Sequence, residues 1–121
     1  MSHTPLILIV DDDDSLRIAL LSLVRSLGYS GLSFDSAEAL LASGAVADSA
    51  CIVTDIQMPG MTGIELEAHL RQAGYETPVV LMTARTDPEI LRAGRDSGAL
   101  CLLKKPLDVN ALIQCLEQAA S

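Results

Sequence analysis

Five residues with chemically useful side chains stand at or just beyond the ends of short apolar runs: Asp11, Asp12, Asp55, Thr83 and Lys105. Three carboxylates held close together repel one another and are pushed towards protonation, so a hard divalent cation is their natural counter-charge. Mg2+ is the expected ion and Mn2+ is the alternative, because both take carboxylate oxygens. The cluster therefore predicts a metal site.

The same residues suit the transfer of a phosphoryl group. Mg2+ accepts phosphate oxygens, Lys105 adds a second positive charge, and the Thr83 hydroxyl can donate a hydrogen bond to a phosphoryl oxygen. Asp55 is the first candidate for the reacting group, because an apolar run delivers it to the turn that Pro59 and Gly60 impose. The predicted chemistry is in-line phosphoryl transfer to a carboxylate.

Apolar runs predict the strands that would position these side chains. A continuous apolar run of about five residues is typical of a strand covered on both faces, as in a parallel sheet. The predicted strands are Leu6–Val10, Tyr29–Phe34, Cys51–Thr54, Pro78–Met82 and Ala99–Leu103. Polar residues end most of these runs, which places them at the carboxyl ends of the strands.

A helical pattern follows each strand. Capping residues begin each pattern, apolar residues recur at helical spacing, and glycine ends most of them. The helices are expected to begin near Ser15, Ser36, Thr62, Asp87 and Asp108. This alternation predicts an α/β fold, a doubly wound five-stranded parallel sheet with five helices. The five candidate residues would then converge at one edge of the sheet, where ligands bind in such folds.

Composition narrows the class of protein. The chain has 121 residues, half of them apolar, and a formal net charge of −8. This length fits a single domain with a continuous core. An acidic surface is repelled by nucleic-acid phosphates and anionic lipid, so we expect contact with neither. The sequence contains no apolar stretch long enough to span a membrane and no secretory signal pattern, which predicts a cytoplasmic protein.

The cysteines and histidines do not suggest a second site. Cys51, Cys101 and Cys115 lack the short paired spacing of a zinc site, and free buried thiols are the expected state. His3 and His69 have no second ligand at metal-binding spacing. We expect both histidines to be exposed residues without a catalytic role.

The motifs resemble the receiver domain of a two-component response regulator, within the CheY-like superfamily and its flavodoxin-like fold. The matching segments are Val10-Asp11-Asp12, Asp55 with Met58-Pro59-Gly60 and Gly63, Thr83-Ala84, and Lys105-Pro106. The resemblance covers the whole chain, residues 1–121. Further likeness in the segment Asp55–Gly63 and in the segment Ser36–Leu41 points to the FixJ type, a subfamily of the NarL/LuxR-like transcription factors.

The resemblance assigns a role to each candidate residue. It makes Asp55 the phospho-acceptor, Thr83 the switch residue that bonds the phosphoryl group, and Lys105 the cation that pairs with that group. The implied Mg2+ ligands are Asp11, Asp12, Asp55 and the backbone carbonyl of Gln57. The peptide bond between Lys105 and Pro106 is expected to be cis.

The implied function is a phosphorylation-dependent switch. A sensor histidine kinase would transfer a phosphoryl group to Asp55, and the resulting conformational change or homodimer would act on an output, here a transcription-regulating DNA-binding domain outside this chain. The domain is expected to catalyse its own phosphoryl transfer and slow autodephosphorylation and no other reaction. We expect the chain to be part of a longer regulator.

Two features depart from the family pattern. Asp13 and Asp14 extend the acidic run, and Asp11 and Asp12 are preferred as metal ligands because they directly follow the strand. Family members commonly carry an aromatic residue three positions before the lysine, where this chain has Leu102. We therefore expect weaker coupling between Thr83 and that position.

A phosphatase of the haloacid-dehalogenase type is the alternative. In that interpretation Asp11 is the nucleophile and Asp13 the general acid, since an Asp-x-Asp pattern follows the first apolar strand. The chain is short for that fold, and the segment after Asp55 would have no function in it. The identity of the nucleophile, Asp55 or Asp11, separates the two interpretations.

Overall fold

The computed structural model describes residues 4–120 and has alternating strands and helices. The strands are β1 (Leu6–Val10), β2 (Ser30–Phe34), β3 (Cys51–Asp55), β4 (Val79–Thr83) and β5 (Cys101–Lys104). The α-helices are α1 (Asp14–Ser26), α2 (Ala37–Ser43), α3 (Gly63–Gln72), α4 (Pro88–Asp96) and α5 (Val109–Ala120). None of the helices in this part of the chain is long and apolar enough to cross a membrane.

The strands form one parallel sheet in the order β2-β1-β3-β4-β5. The order reverses direction at β1, whose neighbours are β2 and β3. In doubly wound folds a crevice opens at such a switch point, outside the carboxyl ends of the strands. Val10 pairs with Thr54, so Asp11 and Asp55 follow on adjacent strands at that crevice. The predicted fold class is confirmed.

Helices cover both faces of the sheet, which explains the continuous apolar runs. Alternate residues of a strand point to opposite faces. On β1, Leu8 and Val10 join the core beneath α2 and α3, while Ile7 and Ile9 join the core beneath α1 and α5. Because both faces are buried, neither set can be polar, and the sequence has no polar alternation there.

Side-chain caps set the start of several helices. Asp13 caps α1 by accepting a hydrogen bond from the backbone N–H of Leu16 at 3.1 Å. Thr62 and Glu65 form a reciprocal capping box at the start of α3, at 3.1 and 2.9 Å. These caps satisfy N–H groups that have no partner within the helix. The capping box also fixes the direction in which the chain leaves the loop after Asp55.

Four of the predicted strands differ from the structure by one or two residues at an end, and one short helix was not predicted. The strand predicted at Ala99–Leu103 lies at Cys101–Lys104, beyond the turn at Gly98, which has a positive φ of 91°. A 3₁₀ helix at Ala45–Asp48 was not predicted. Such short helices lack the repeated apolar spacing by which longer helices are recognised.

The expectation of three free thiols was wrong. Cys101 and Cys115 form a disulfide with their Cα atoms 6.4 Å apart, whereas Cys51 is free and buried. The pair is 14 residues apart in sequence and meets because α5 packs back onto the edge strand β5, a contact that residue spacing does not reveal. His69 is exposed, as expected, and His3 lies outside the described residues.

Gly63, the first residue of α3, lets that helix begin directly against the end of β3. A Cβ at this position would collide with the backbone carbonyl of Asp55. Backbone atoms cannot move aside as a flexible side chain can. The missing side chain thus permits the backbone approach that holds Asp55 at the sheet edge, where Gly63 N–H donates to the Ile56 carbonyl at 3.0 Å.

We predict that Gly63→Ala lowers the free energy of unfolding by about 1–3 kcal/mol, the usual cost of overpacking. Gly94→Ala is the matched control, because its Cβ would meet side-chain atoms rather than backbone: Ile56 Cδ1 at 3.5 Å and the δ-carbons of Leu102 at 3.1 and 3.2 Å. Those side chains can adjust, and alanine gains up to about 1 kcal/mol of helix propensity. Urea unfolding of the two variants measures the difference. Equal stabilities would contradict the proposed role of Gly63.

Candidate functional site

The predicted residues meet at the carboxyl edge of the sheet. Asp11 follows β1, Asp55 is the last residue of β3, and Thr83 is the last residue of β4. Asp55 pairs with Met82, so Thr83 lies one residue beyond on the adjacent strand. Asp11 and Thr83 are fully buried and Asp55 is 6% exposed. The sheet register therefore sets the spacing of these three side chains.

Lys105 directly follows the edge strand β5, and its side chain reaches back to the two acids. Its Nζ donates to Asp11 Oδ2 at 2.9 Å and to Asp55 Oδ2 at 3.1 Å. The Lys105–Pro106 peptide bond is cis, as predicted. Lys104, by contrast, is exposed on β5. One ammonium group thus neutralises part of the charge of two buried carboxylates.

The four acids after β1 have separate roles. Asp11 is fixed on both sides, since its Oδ1 accepts from Asp13 N–H at 2.9 Å and its carbonyl accepts from Arg17 at 2.8 Å. Asp13 caps α1, and Asp14 pairs with Arg17 at 2.6 Å. Asp12 is exposed. Because Asp13 is committed to a helix cap, it is poorly suited to the general-acid role that the phosphatase interpretation requires.

The acidic group fits a divalent cation. Asp11, Asp12 and Asp55 each offer a carboxylate oxygen, and these oxygens lie within 4.8 Å of one another. Oxygen-only ligands with one exposed member match the preference of Mg2+, which keeps several waters. The backbone carbonyl of Gln57 remains a predicted fourth ligand.

Burial and neighbouring charges shift the pKa values of Asp55 and Lys105. Burial raises the pKa of the Asp55 carboxyl above its ordinary 3.8, although the hydrogen bond from Lys105 works in the opposite direction. Burial also disfavours the charged form of Lys105, but the hydrogen bonds to Asp11 and Asp55 outweigh this and raise the pKa of the ammonium group. The lysine therefore stays charged, and Asp55 is held in an environment that disfavours its own charge.

Gln57 contacts Thr83 through its side chain, which the sequence did not predict. The Thr83 hydroxyl donates to Gln57 Oε1 at 3.0 Å and accepts from Arg85 N–H at 3.0 Å. Gln57 Nε2 is buried without a hydrogen-bond partner among the described residues. Thr83 is thus held by two loops, one from β3 and one from β4, and its hydroxyl is occupied by protein groups.

Comparisons with known proteins identify the family. Residues 7–117 match the response regulator receiver domain. The chain belongs to that family. It is 38% identical to the transcriptional regulatory protein FixJ of Azorhizobium caulinodans over 105 residues, which cover 87% of this chain and 50% of FixJ. The chain therefore spans about half the length of that relative.

Solved structures agree with this receiver assignment. The response regulator StyR is 38% identical, with a TM-score of 0.88 over 98% of this chain and 60% of that protein. Chemotaxis protein CheY4 of Vibrio cholerae is 30% identical, with a TM-score of 0.84 over 97% of this chain and 99% of its own. The similarity to FixJ and StyR makes this a FixJ-type receiver, a component of two-component signalling rather than a phosphatase.

A further contact in this receiver was not predicted. Glu38, on α2, accepts a hydrogen bond from Met61 N–H at 2.9 Å, and this bond lowers the pKa of the Glu38 carboxyl. The contact ties the loop after Asp55 to the neighbouring helix. In the sequence, the Ser-Ala-Glu segment indicates a helix start and adds to the resemblance to FixJ-type receivers, but its glutamate gives no signal of this long-range contact.

We predict that Asp55→Asn raises the melting temperature of the receiver at pH 7. The folded-state pKa of Asp55 lies above its ordinary 3.8, so ionisation costs stability as pH rises through that folded-state value. An amide removes this cost. The gain should disappear below pH 3.8, where the carboxyl is protonated in both folded and unfolded states. Calorimetry from pH 3 to pH 8 measures the difference in melting temperature between Asp55→Asn and wild type.

Asp87→Asn is a control for which we expect the melting temperature at pH 7 to change in the opposite direction. The pKa of exposed Asp87 is lowered by its hydrogen bond from Arg85, so its charge favours the folded state and its loss should lower the melting temperature at pH 7. A lower melting temperature for Asp55→Asn at pH 7 would mean that attraction to Lys105 outweighs burial.

Proposed function

We propose that this receiver accepts a phosphoryl group on Asp55 from a phosphohistidine of a sensor histidine kinase. The observation that carries the proposal is the pair of contacts from Lys105 Nζ to Asp11 and Asp55, at 2.9 and 3.1 Å. They hold a cation beside the candidate nucleophile at the switch point of the sheet. Kinases and output domains are general partners of this family.

The proposed reaction is a direct displacement. A carboxylate oxygen of ionised Asp55 attacks phosphorus, an acyl phosphate bond forms, and the bond to the histidine nitrogen breaks, so that imidazole leaves with the electron pair. Asp11, Asp12, Asp55 and the Gln57 carbonyl would hold Mg2+, which when bound supplies positive charge to the transferred oxygens. Lys105 supplies a second, permanent positive charge from the protein itself.

Thr83 is proposed to detect the modification. Its hydroxyl donates to Gln57 Oε1 at 3.0 Å in the unmodified protein, and a phosphoryl group on Asp55 would offer a charged acceptor in its place. Hydrogen bonds to charged oxygens are stronger than those to neutral ones. The exchange would release the Thr83 loop from the Gln57 side chain and shift the helix that follows, α4.

The domain extent, cellular location and output of this switch are also proposed here. We assign residues 1–121 to one receiver domain in the cytoplasm, acting on a transcription-regulating output domain outside this chain. The net charge of −8 argues against direct binding of this domain to nucleic acid or to anionic membranes. Hydrolysis of its own acyl phosphate would be slow, and no other turnover is proposed.

We predict that the protein gains one phosphoryl group from acetyl phosphate when Mg2+ is present. Intact-mass measurement should detect it in wild type and fail to detect it in Asp55→Asn or in excess chelator. Asp11 and Asp55 need a counter-charge before an anionic donor can approach. Asp14→Asn is the control, because Asp14 is exposed and pairs with Arg17 outside the cluster. Stoichiometric phosphorylation of Asp55→Asn would contradict the assignment of Asp55 as the phospho-acceptor.

Association through the face of α4, β5 and α5 is the proposed output. Thr83 and Lys105 stand next to these elements, so their engagement by a phosphoryl group would bias the packing of that face. We predict that phosphorylated wild type sediments as a dimer and that Thr83→Ala stays monomeric although it is phosphorylated. Thr77→Ala is the control, because Thr77 is half-buried and precedes the amino end of β4, at the opposite edge of the sheet from the site. A monomeric phosphorylated wild type would contradict the proposal.

A further inference from the structure

Cys101 and Cys115 join two elements that lie next to the phosphorylation site. Cys101 is the first residue of the edge strand β5, and Cys115 lies in α5 between residues that pack on the sheet. Their Cα separation of 6.4 Å lies within the range of about 4.4–6.8 Å that disulfides require. No backbone rearrangement is therefore needed for the two thiols to pair.

The third cysteine, Cys51, lies in a different part of the fold. Cys51 is fully buried on the central strand β3, and burial raises the pKa of its thiol to about 12. Cys101 is half-buried on the edge strand β5, and Cys115 is 7% exposed on α5. Thiolates are the reacting species, so Cys51 is an internal reference that should not react.

The disulfide closes a ring that contains part of the phosphorylation site. The chain from Cys101 to Cys115 includes Lys105, whose Nζ contacts both Asp11 and Asp55. A closed ring restricts the conformations of the residues within it. The structure, with the disulfide formed, has Lys105 2.9 Å from Asp11 Oδ2 and 3.1 Å from Asp55 Oδ2. The ring thus favours the arrangement of Lys105 that belongs to the unphosphorylated protein.

We propose that Cys101 and Cys115 are a reversible thiol–disulfide site and that its oxidised form opposes phosphorylation of Asp55. The co-substrate is a small disulfide such as oxidised glutathione. In a reducing compartment, paired cysteines of this kind are usually catalytic or redox-sensing rather than structural. The effect on phosphorylation rests on the function proposed above, whereas the thiol chemistry does not.

The thiol–disulfide exchange needs no oxidant other than the small disulfide. One cysteine thiolate attacks it and releases one thiolate of the reagent, and the second cysteine thiolate attacks the mixed disulfide and releases the other. Two electrons pass from the cysteine pair to the reagent, and the two cysteine protons end on the two released thiols. Excess reduced glutathione reverses both steps.

The opposition to phosphorylation follows from the position of Lys105. A phosphoryl group on Asp55 would occupy space at the carboxylate that Lys105 now contacts, and the ammonium group would have to withdraw to meet the phosphoryl oxygens. The ring limits this withdrawal in the oxidised protein. Linkage requires the reverse effect as well, so occupancy of the phosphoryl site should make the disulfide easier to reduce.

The first experiment measures thiol chemistry without any phosphodonor. Wild type and Cys51→Ser are equilibrated with mixtures of reduced and oxidised glutathione, quenched with acid, and then labelled with a maleimide in denaturant, which exposes every remaining thiol, for intact-mass analysis. Each should lose two labels together as the mixture becomes oxidising, and neither Cys101→Ser nor Cys115→Ser should lose a pair. Three labels on wild type at every ratio, or a pair that includes Cys51, would overturn the proposal.

The second experiment measures coupling with beryllofluoride, a stable phosphoryl analogue, together with Mg2+. Oxidised wild type should bind it about fivefold or more weakly than reduced wild type, the lower end of usual coupling between sites. Cys101→Ser should bind it equally in both mixtures. Equal affinity in both redox states of wild type would overturn the coupling. No binding by reduced wild type, with the labelling result intact, would instead count against the proposed phosphorylation.

Discussion

The ammonium group of Lys105 between Asp11 and Asp55 is the contact on which the rest of the site depends. Burying two carboxylates side by side is unfavourable unless a positive charge lies between them. Lys105 supplies that charge at 2.9 and 3.1 Å, and it comes from beyond the edge strand, two strands away from Asp55. The contact therefore joins the ends of the central strands β1 and β3 to the residue that follows β5.

Other features of the fold hold Asp55 where this contact can form. Gly63 allows α3 to approach the end of β3, and the capping box of Thr62 and Glu65 fixes the start of that helix. Glu38 holds the intervening loop from α2 at 2.9 Å. Burial of Asp55 raises its pKa, so these packing interactions maintain a carboxylate in a place where its charge lowers stability, as is common at functional sites.

Much of the fold could be predicted because both faces of the sheet are buried. The apolar runs of β1, β3 and β4 are typical of strands covered on both sides, and the polar residues that end them lie at the carboxyl edge of the sheet. The contacts that could not be predicted join residues distant in sequence. Thr83 and Gln57 are 26 residues apart, and Cys101 and Cys115 are 14 apart. Their meeting depends on how loops and helices pack, which local patterns do not encode.

The position of Leu102 bears on how a change at Thr83 would reach the rest of the protein. Leu102 is half-buried on β5, and its δ-carbons lie under Gly94 of α4, where an added Cβ would come within 3.1 Å of them. A leucine in so close a contact has no ring to turn between an inward and an outward position. The other connection from Asp55 to α4 is the loop that Thr83 holds through Arg85 N–H and Gln57 Oε1. A signal from Asp55 would therefore pass to α4 mainly through that loop, while Leu102 keeps β5 and α4 packed together.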